Sequence, residues 1–130
     1  MQYLFPGGTP MQQLKNVRVL VVEDEPLLAL ELQDLLTDLG CVIAGVAGRL
    51  ETALPFAGTL EFDVAILDVN LGTERIDRAA ETIAGRGLPI VYTTGYGTAG
   101  GSGLAPGEVV TKPYDQAMIA AALARAITRP

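Results

Sequence analysis

The 130-residue sequence contains no histidine. Its absence removes imidazole acid–base catalysis, histidine metal ligands and any phosphohistidine on this chain. A phosphoryl relay through histidine therefore has to use a partner protein. Cys41 is the single cysteine, so an internal disulfide is impossible, which fits a reducing compartment. Positive charge is scarce: 9 Lys and Arg stand against 15 Asp and Glu, a formal net charge of −6. That balance disfavours DNA binding, which needs basic side chains to neutralise phosphates. No apolar run is long enough to cross a bilayer. The opening segment, Met1–Gly8, lacks the basic start and long apolar stretch of a secretory signal. The expected location is the cytoplasm, with no membrane contact.

What is present is enough apolar material, 49% of the residues, for one packed core in a chain of one-domain length. Residues 1–15 read as a flexible leader, with Pro6, Gly7, Gly8 and Pro10 and no periodicity. Residues 16–130 read as one domain. Val17–Val22 is nearly all apolar and β-branched, as in a strand buried on both faces. Pro26 suits the first turn of a helix that carries Leu28, Leu32, Leu35, Leu36 and Leu39 at helical spacing and stops at Gly40. Further strands are expected at 41–46, 62–67, 89–93 and 109–111, and helices at 50–56 (interrupted by Pro55), 74–84 and 114–128. Strand and helix alternate, which argues for an α/β doubly wound sheet of five parallel strands.

In such sheets ligands bind beyond the carboxyl ends of the strands. Polar groups collect there: Glu23 and Asp24 after the first strand, Asp68 after the third, Thr94 after the fourth and Lys112 after the fifth. Each alone reads as an ordinary turn, strand or surface residue; it is the set that points to chemistry. Crowded carboxylates repel, by roughly 4 kcal/mol for a pair about 4 Å apart at an effective dielectric near 20. A cation in their midst relieves this, and an all-oxygen ligand set favours Mg²⁺, which also binds phosphate. With Lys112 opposite, the group is suited to neutralise a phosphoryl group in transfer to a carboxylate.

The segments Val21–Pro26, Asp63–Leu71, Pro89–Tyr96 and Val110–Tyr114, four motifs in order at strand ends, resemble the CheY-like receiver domain of two-component systems. The resemblance covers about residues 16 to 128. It implies a flavodoxin-like fold and a stand-alone response regulator that takes a phosphoryl group from a histidine kinase or phosphotransfer protein. Asp68 would be the phosphoacceptor. Asp24, Asp68 and the carbonyl of Asn70 would ligate Mg²⁺, with Glu23 helping through water. Thr94 and Lys112 would hold the phosphoryl oxygens, and the Lys112–Pro113 bond is often cis in the family. Such a module catalyses only its own phosphorylation and dephosphorylation. It signals through a downstream protein target or acts as a phosphate shuttle or sink, as a monomer or weak homodimer.

Two departures stand out. The interval 95–107, where receivers place their fourth helix, holds six glycines and Pro106, so a shortened helix or a Gly-rich loop is expected. Val109 occupies the position, three before the lysine, that usually carries an aromatic switch residue. Thr94-Gly95-Tyr96, and the lack of proline in Asn70-Leu71-Gly72, resemble the alphaproteobacterial FAT GUY receivers, which implies stress signalling. Two other readings compete with this one. A strand-end Asp phosphohydrolase wants a second Asp two residues on, where this chain has Asn70. A phosphorylation-independent interaction module on the same fold is opposed by the acid cluster and mildly favoured by the missing switch aromatic at Val109. The pattern Gly95-x-Gly97-x-x-Gly100 matches a dinucleotide fingerprint but is followed by Gly101-Ser102-Gly103 rather than a helix.

Overall fold

The computed structural model describes residues 13–72, 74–95 and 104–128. In chain order the elements are β1 (Arg18–Val22), α1 (Pro26–Asp38), β2 (Val42–Ala47), α2 (Leu50–Thr59), β3 (Val64–Asp68), β4 (Asn70–Leu71), β5 (Glu74–Arg75), α3 (Asp77–Gly85), β6 (Ile90–Thr94), β7 (Glu108–Thr111) and α4 (Gln116–Thr128). Five strands form one sheet in the order β2-β1-β3-β6-β7, every pair parallel. The chain runs outward from β1 to β2, then crosses to β3 on the other side. The switch point, and so the crevice at the strand ends, lies between β1 and β3.

The apolar runs are continuous because the sheet is covered on both faces. Val19, Val21, Val64 and Ile66 face the layer of α1 and α4, where Leu32, Leu36, Ile119 and Leu123 are buried. Leu20, Val22, Ala65 and Leu67 face the layer of α2 and α3, with Ala53, Ala57, Ile76 and Ile83. Leu14, which the sequence places in the leader, is fully buried in the first layer; residues 1–12 lie outside the described residues.

α1 ends as its sequence requires. Gly40 sits at φ +91°, its N–H bonds Thr37 O, and the Cys41 N–H reaches back to Leu36 O at 3.0 Å. This is a Schellman cap, and it needs the left-handed residue that glycine supplies.

Two helices differ from the expectation. α2 continues past Phe56 to Thr59 with Pro55 inside it. Pro55 is exposed, and so is Glu51, whose carbonyl loses its partner; the buried Ala53 and Ala57 hold the turn together. The helix expected from Glu74 begins instead at Asp77. Glu74 and Arg75 form a small antiparallel ladder with Leu71 and Asn70, turned at Gly72 with φ +61°. The Gly-rich interval falls mostly on residues 96–103, outside the described residues. Four helices are described, none between β6 and β7. Among the described residues no helix is long and apolar enough to cross a membrane.

Candidate phosphoryl-transfer and metal site

β1 delivers Glu23 and Asp24 to the crevice. The Glu23 N–H still bonds Ala47 O at 3.0 Å, so the backbone keeps its strand course one residue beyond β1. The Glu23 side chain turns in and is 3% exposed. β3 delivers Asp68, 4% exposed. Carboxylate oxygens of Glu23, Asp24 and Asp68 all lie within 4.8 Å of one another.

Each buried carboxylate has assigned partners. Glu23 Oε2 accepts the N–H of Glu25 at 3.1 Å. Asp68 Oδ1 accepts the N–H of Asn70 at 3.0 Å. Their other oxygens share one cation: Lys112 Nζ donates to Glu23 Oε1 at 3.3 Å and to Asp68 Oδ2 at 3.1 Å. Lys112 follows β7 and is joined to β6 by its own N–H, which donates to Thr94 O at 2.7 Å. The Lys112–Pro113 bond is cis. Thr94 is the last residue of β6, is 2% exposed and stands one position beyond Thr93, the register partner of Asp68.

The electrostatics follow from burial. Burial pushes the Glu23 carboxyl up to about 7; the charge of Asp68 adds to this, while the Glu25 N–H and Lys112 pull the other way. Burial also opposes the charge on Lys112, but Asp68 and then Glu23 outweigh it and leave its pKa raised. Burial likewise raises Tyr114, helped by the negative charge of Glu23. Of the three carboxylates, two bond Lys112, and even at 4.8 Å, the widest separation in the cluster, two like charges repel by about 3 kcal/mol at an effective dielectric near 20. A cluster of oxygen donors with excess negative charge, and with Asp24 less buried than the other two, fits a hard divalent cation such as Mg²⁺. Beside Lys112 a cleft of about 370 Å³, bordered by Leu28, Glu31, Gly95, Pro113 and Tyr114, leaves room for an approaching group.

The structure thus brings Glu23, Asp24, Asp68 and Lys112 together, with Thr94 on the adjoining strand end. Asn70 meets Asp68 through its N–H, and its side chain is exposed. Val109 lies on the edge strand, 52% exposed. Two further features were not expected from the sequence. The β4–β5 hairpin lies over the cluster: a Cβ added at Gly72 would stand 3.5 Å from Asp24 Oδ2. Tyr92 is buried in β6, and its hydroxyl donates to Ala105 O at 2.6 Å, fixing the chain where it returns toward β7. The Gly at position 72, next to an acid cluster, is the signal that could have revealed the hairpin; a phenol inside an apolar strand is the signal for the second.

Comparison with known proteins gives the family of this fold. Residues 19–124 match the family model of the response regulator receiver domain. The chain is 26% identical over 117 residues to the phyllosphere-induced regulator PhyR of Methylorubrum extorquens, covering 84% of this chain and 43% of that protein. It is 36% identical over 80 residues to the transcriptional regulatory protein PdtaR of Mycobacterium tuberculosis, covering 61% of this chain and 39% of that protein. The chain thus spans about two-fifths of these curated relatives. Among solved structures, SdrG from Sphingomonas melonis Fr1 superposes with a TM-score of 0.72 at 34% identity, over 87% of this chain and 98% of that one. By sheet order, by the match over residues 19–124 and by likeness to SdrG along nearly its whole length, this chain belongs to the response regulator receiver domain family.

Proposed function

We propose that this receiver domain accepts a phosphoryl group on Asp68 from a phosphohistidine of a sensor histidine kinase or phosphotransfer protein, and that the reaction needs Mg²⁺. The observation that carries this is the meeting of Glu23, Asp24 and Asp68 oxygens within 4.8 Å, with Lys112 bonded to two of the three. Buried carboxylates short of counter-charge cost stability, so a strand end that keeps them together points to a use for them.

A carboxylate oxygen of Asp68 bonds to phosphorus as the P–N bond breaks. The electron pair stays on the imidazole nitrogen of the donor, which takes up a proton from water. Asp24, Asp68 and the Asn70 carbonyl would hold the metal, with Glu23 through water. A bound Mg²⁺ supplies charge neutralisation at the phosphoryl oxygens. Lys112 keeps the Asp68 oxygens oriented before transfer and moves to a phosphoryl oxygen after it, while the Thr94 hydroxyl donates to another. With no histidine in the sequence, none of these residues can serve as the phosphohistidine donor. The output is a changed contact with a downstream protein, or passage of the phosphoryl group onward, in the cytoplasm and in stress signalling of the kind to which PhyR belongs, a stress response regulator in its own structural description.

The test is incubation with Mg²⁺ and acetyl phosphate, or with a phosphorylated histidine kinase, followed by intact mass. One phosphoryl adduct is expected, lost in Asp68→Asn and in EDTA. No adduct from either donor would sink the reading.

A further inference from the structure

The β4–β5 hairpin stands between the acid cluster and a helix end. On the cluster side, the Asn70 N–H bonds Asp68 Oδ1, and a Cβ at Gly72 would stand 3.5 Å from Asp24 Oδ2. On the far side, Glu74 Oε1 accepts the N–H of Leu50 at 2.9 Å. Leu50 is the first residue of α2, and the N-cap residue Arg49 makes no side-chain bond to the helix. The Leu50 N–H is one of the donors that every helix start leaves without an internal partner. Here a carboxylate 24 positions along the chain supplies the partner, at the end where the helix dipole also favours negative charge.

The hairpin itself is slight. It has two ladder pairs, Asn70 with Arg75 and Leu71 with Glu74, and so small a ladder does not fix its own place. Leu71 and Ile76 are buried and tie it to the core. Among the described residues, the directional bond that ties it to α2 is that of Glu74. Glu74 is also the ladder partner of the residue next to Asn70, so its grip is passed across the pair to the backbone that faces Asp68.

We propose that Glu74 is a positioning residue for the metal and phosphoacceptor site, holding the Asn70 backbone against Asp68 through its bond to the start of α2. This rests on the reading of Asp68 as phosphoacceptor. Metal sites lose affinity when groups supporting the ligands are removed, commonly by about 10–100-fold. Because Asn70 contributes one ligand of several, the lower end, about tenfold, is expected. The defect is in metal binding, so phosphorylation should slow at low Mg²⁺ and recover largely at saturating Mg²⁺.

The test uses the full chain, three single variants and one double variant. Glu74→Ala removes the acceptor. Glu74→Gln keeps a carbonyl oxygen in its place. Leu50→Pro removes the donor instead; proline suits the first helical position, and Arg49 already has the extended backbone, φ −144° and ψ 154°, that a following proline requires. Mg²⁺ affinity is read by titration calorimetry, phosphorylation by intact mass with acetyl phosphate, and folding by thermal unfolding in EDTA. Expected are about tenfold weaker Mg²⁺ binding in Glu74→Ala and in Leu50→Pro, no further loss when the two are combined, and near-parental binding in Glu74→Gln. Should Glu74→Ala fail to fold, Leu50→Pro carries the same comparison. Mg²⁺ binding within about twofold of the parent in Glu74→Ala, or an equal loss in Glu74→Gln, overturns the proposal. A parent that takes no phosphoryl group, with Mg²⁺ affinity still lost in Glu74→Ala and Leu50→Pro, sinks the phosphoacceptor reading and leaves the positioning role standing.

Discussion

Lys112 and Asp68, 44 residues apart, meet at 3.1 Å across the end of the strand that separates theirs. Lys112 reaches over β6 from β7, and in doing so also touches Glu23 beyond Asp68. One lysine therefore offsets charge delivered by two other strands.

Removing that lysine should expose the repulsion it masks. Lys112→Met is expected to cost about 1–3 kcal/mol in EDTA, since two buried carboxylates lose their charged donor. Urea unfolding with and without Mg²⁺ checks this, and the metal should restore most of the loss. Equal losses in both conditions would mean that the lysine acts by packing alone.

Glu23 sets an unusual pH dependence. Its folded pKa, about 7, lies above the ordinary value of 4.5 because burial disfavours the charged form. A carboxyl raised on folding binds its proton more tightly in the native state. Its contribution is therefore complete below 4.5 and lost as pH rises through 7. Metal-free protein should lose stability between pH 5 and 8, by a few kcal/mol at most. Glu23→Gln should flatten that slope. A stability that rises over this interval in EDTA would contradict the burial argument.

Cys41 should be silent until the protein opens. It is 7% exposed, and burial pushes its thiol up to about 11. At pH 8 it carries roughly a hundredfold less thiolate than an ordinary cysteine. Ellman's reagent should label the native chain slowly and the urea-unfolded chain at once, one equivalent in all. Rapid labelling without denaturant would show that the α1–β2 corner opens locally.

Gly107 should not tolerate even a methyl group. A Cβ there would lie 2.7 Å from Ile90 O and 2.9 Å from the Tyr92 ring. The first of these is sheet backbone and cannot yield. Gly107→Ala is expected to cost about 1–3 kcal/mol by urea unfolding, as overpacking does. Tyr92→Phe, which leaves Ala105 O without its donor, should cost about 1 kcal/mol.

How far the sequence could be read depended on scale. The three inner strands were legible because both faces are covered, which forces unbroken apolar runs such as Val19–Val22 and Val64–Leu67. The strand-end acids and Lys112 were legible because each run stops on one. The β4–β5 hairpin was not, since two-residue strands are too short for alternation to register, and Glu74 reads equally well as a first-turn helix residue. Nor was Pro55 legible as a helix interior position, because only the packing of Ala53 and Ala57 decides that the turn holds.

The bond between Tyr92 and Ala105 has a consequence for divergence. It closes a circuit: the chain leaves the sheet at Thr94 and is fastened again before β7 begins. Lengthening a stretch whose two ends are already pinned is cheap, about 0.6 kcal/mol for each doubling by loop-closure entropy. Insertions between those pins would leave Asp68, Lys112 and the acid cluster undisturbed. The length of that stretch can then differ from one receiver to the next while the chemistry of the strand ends stays as it is.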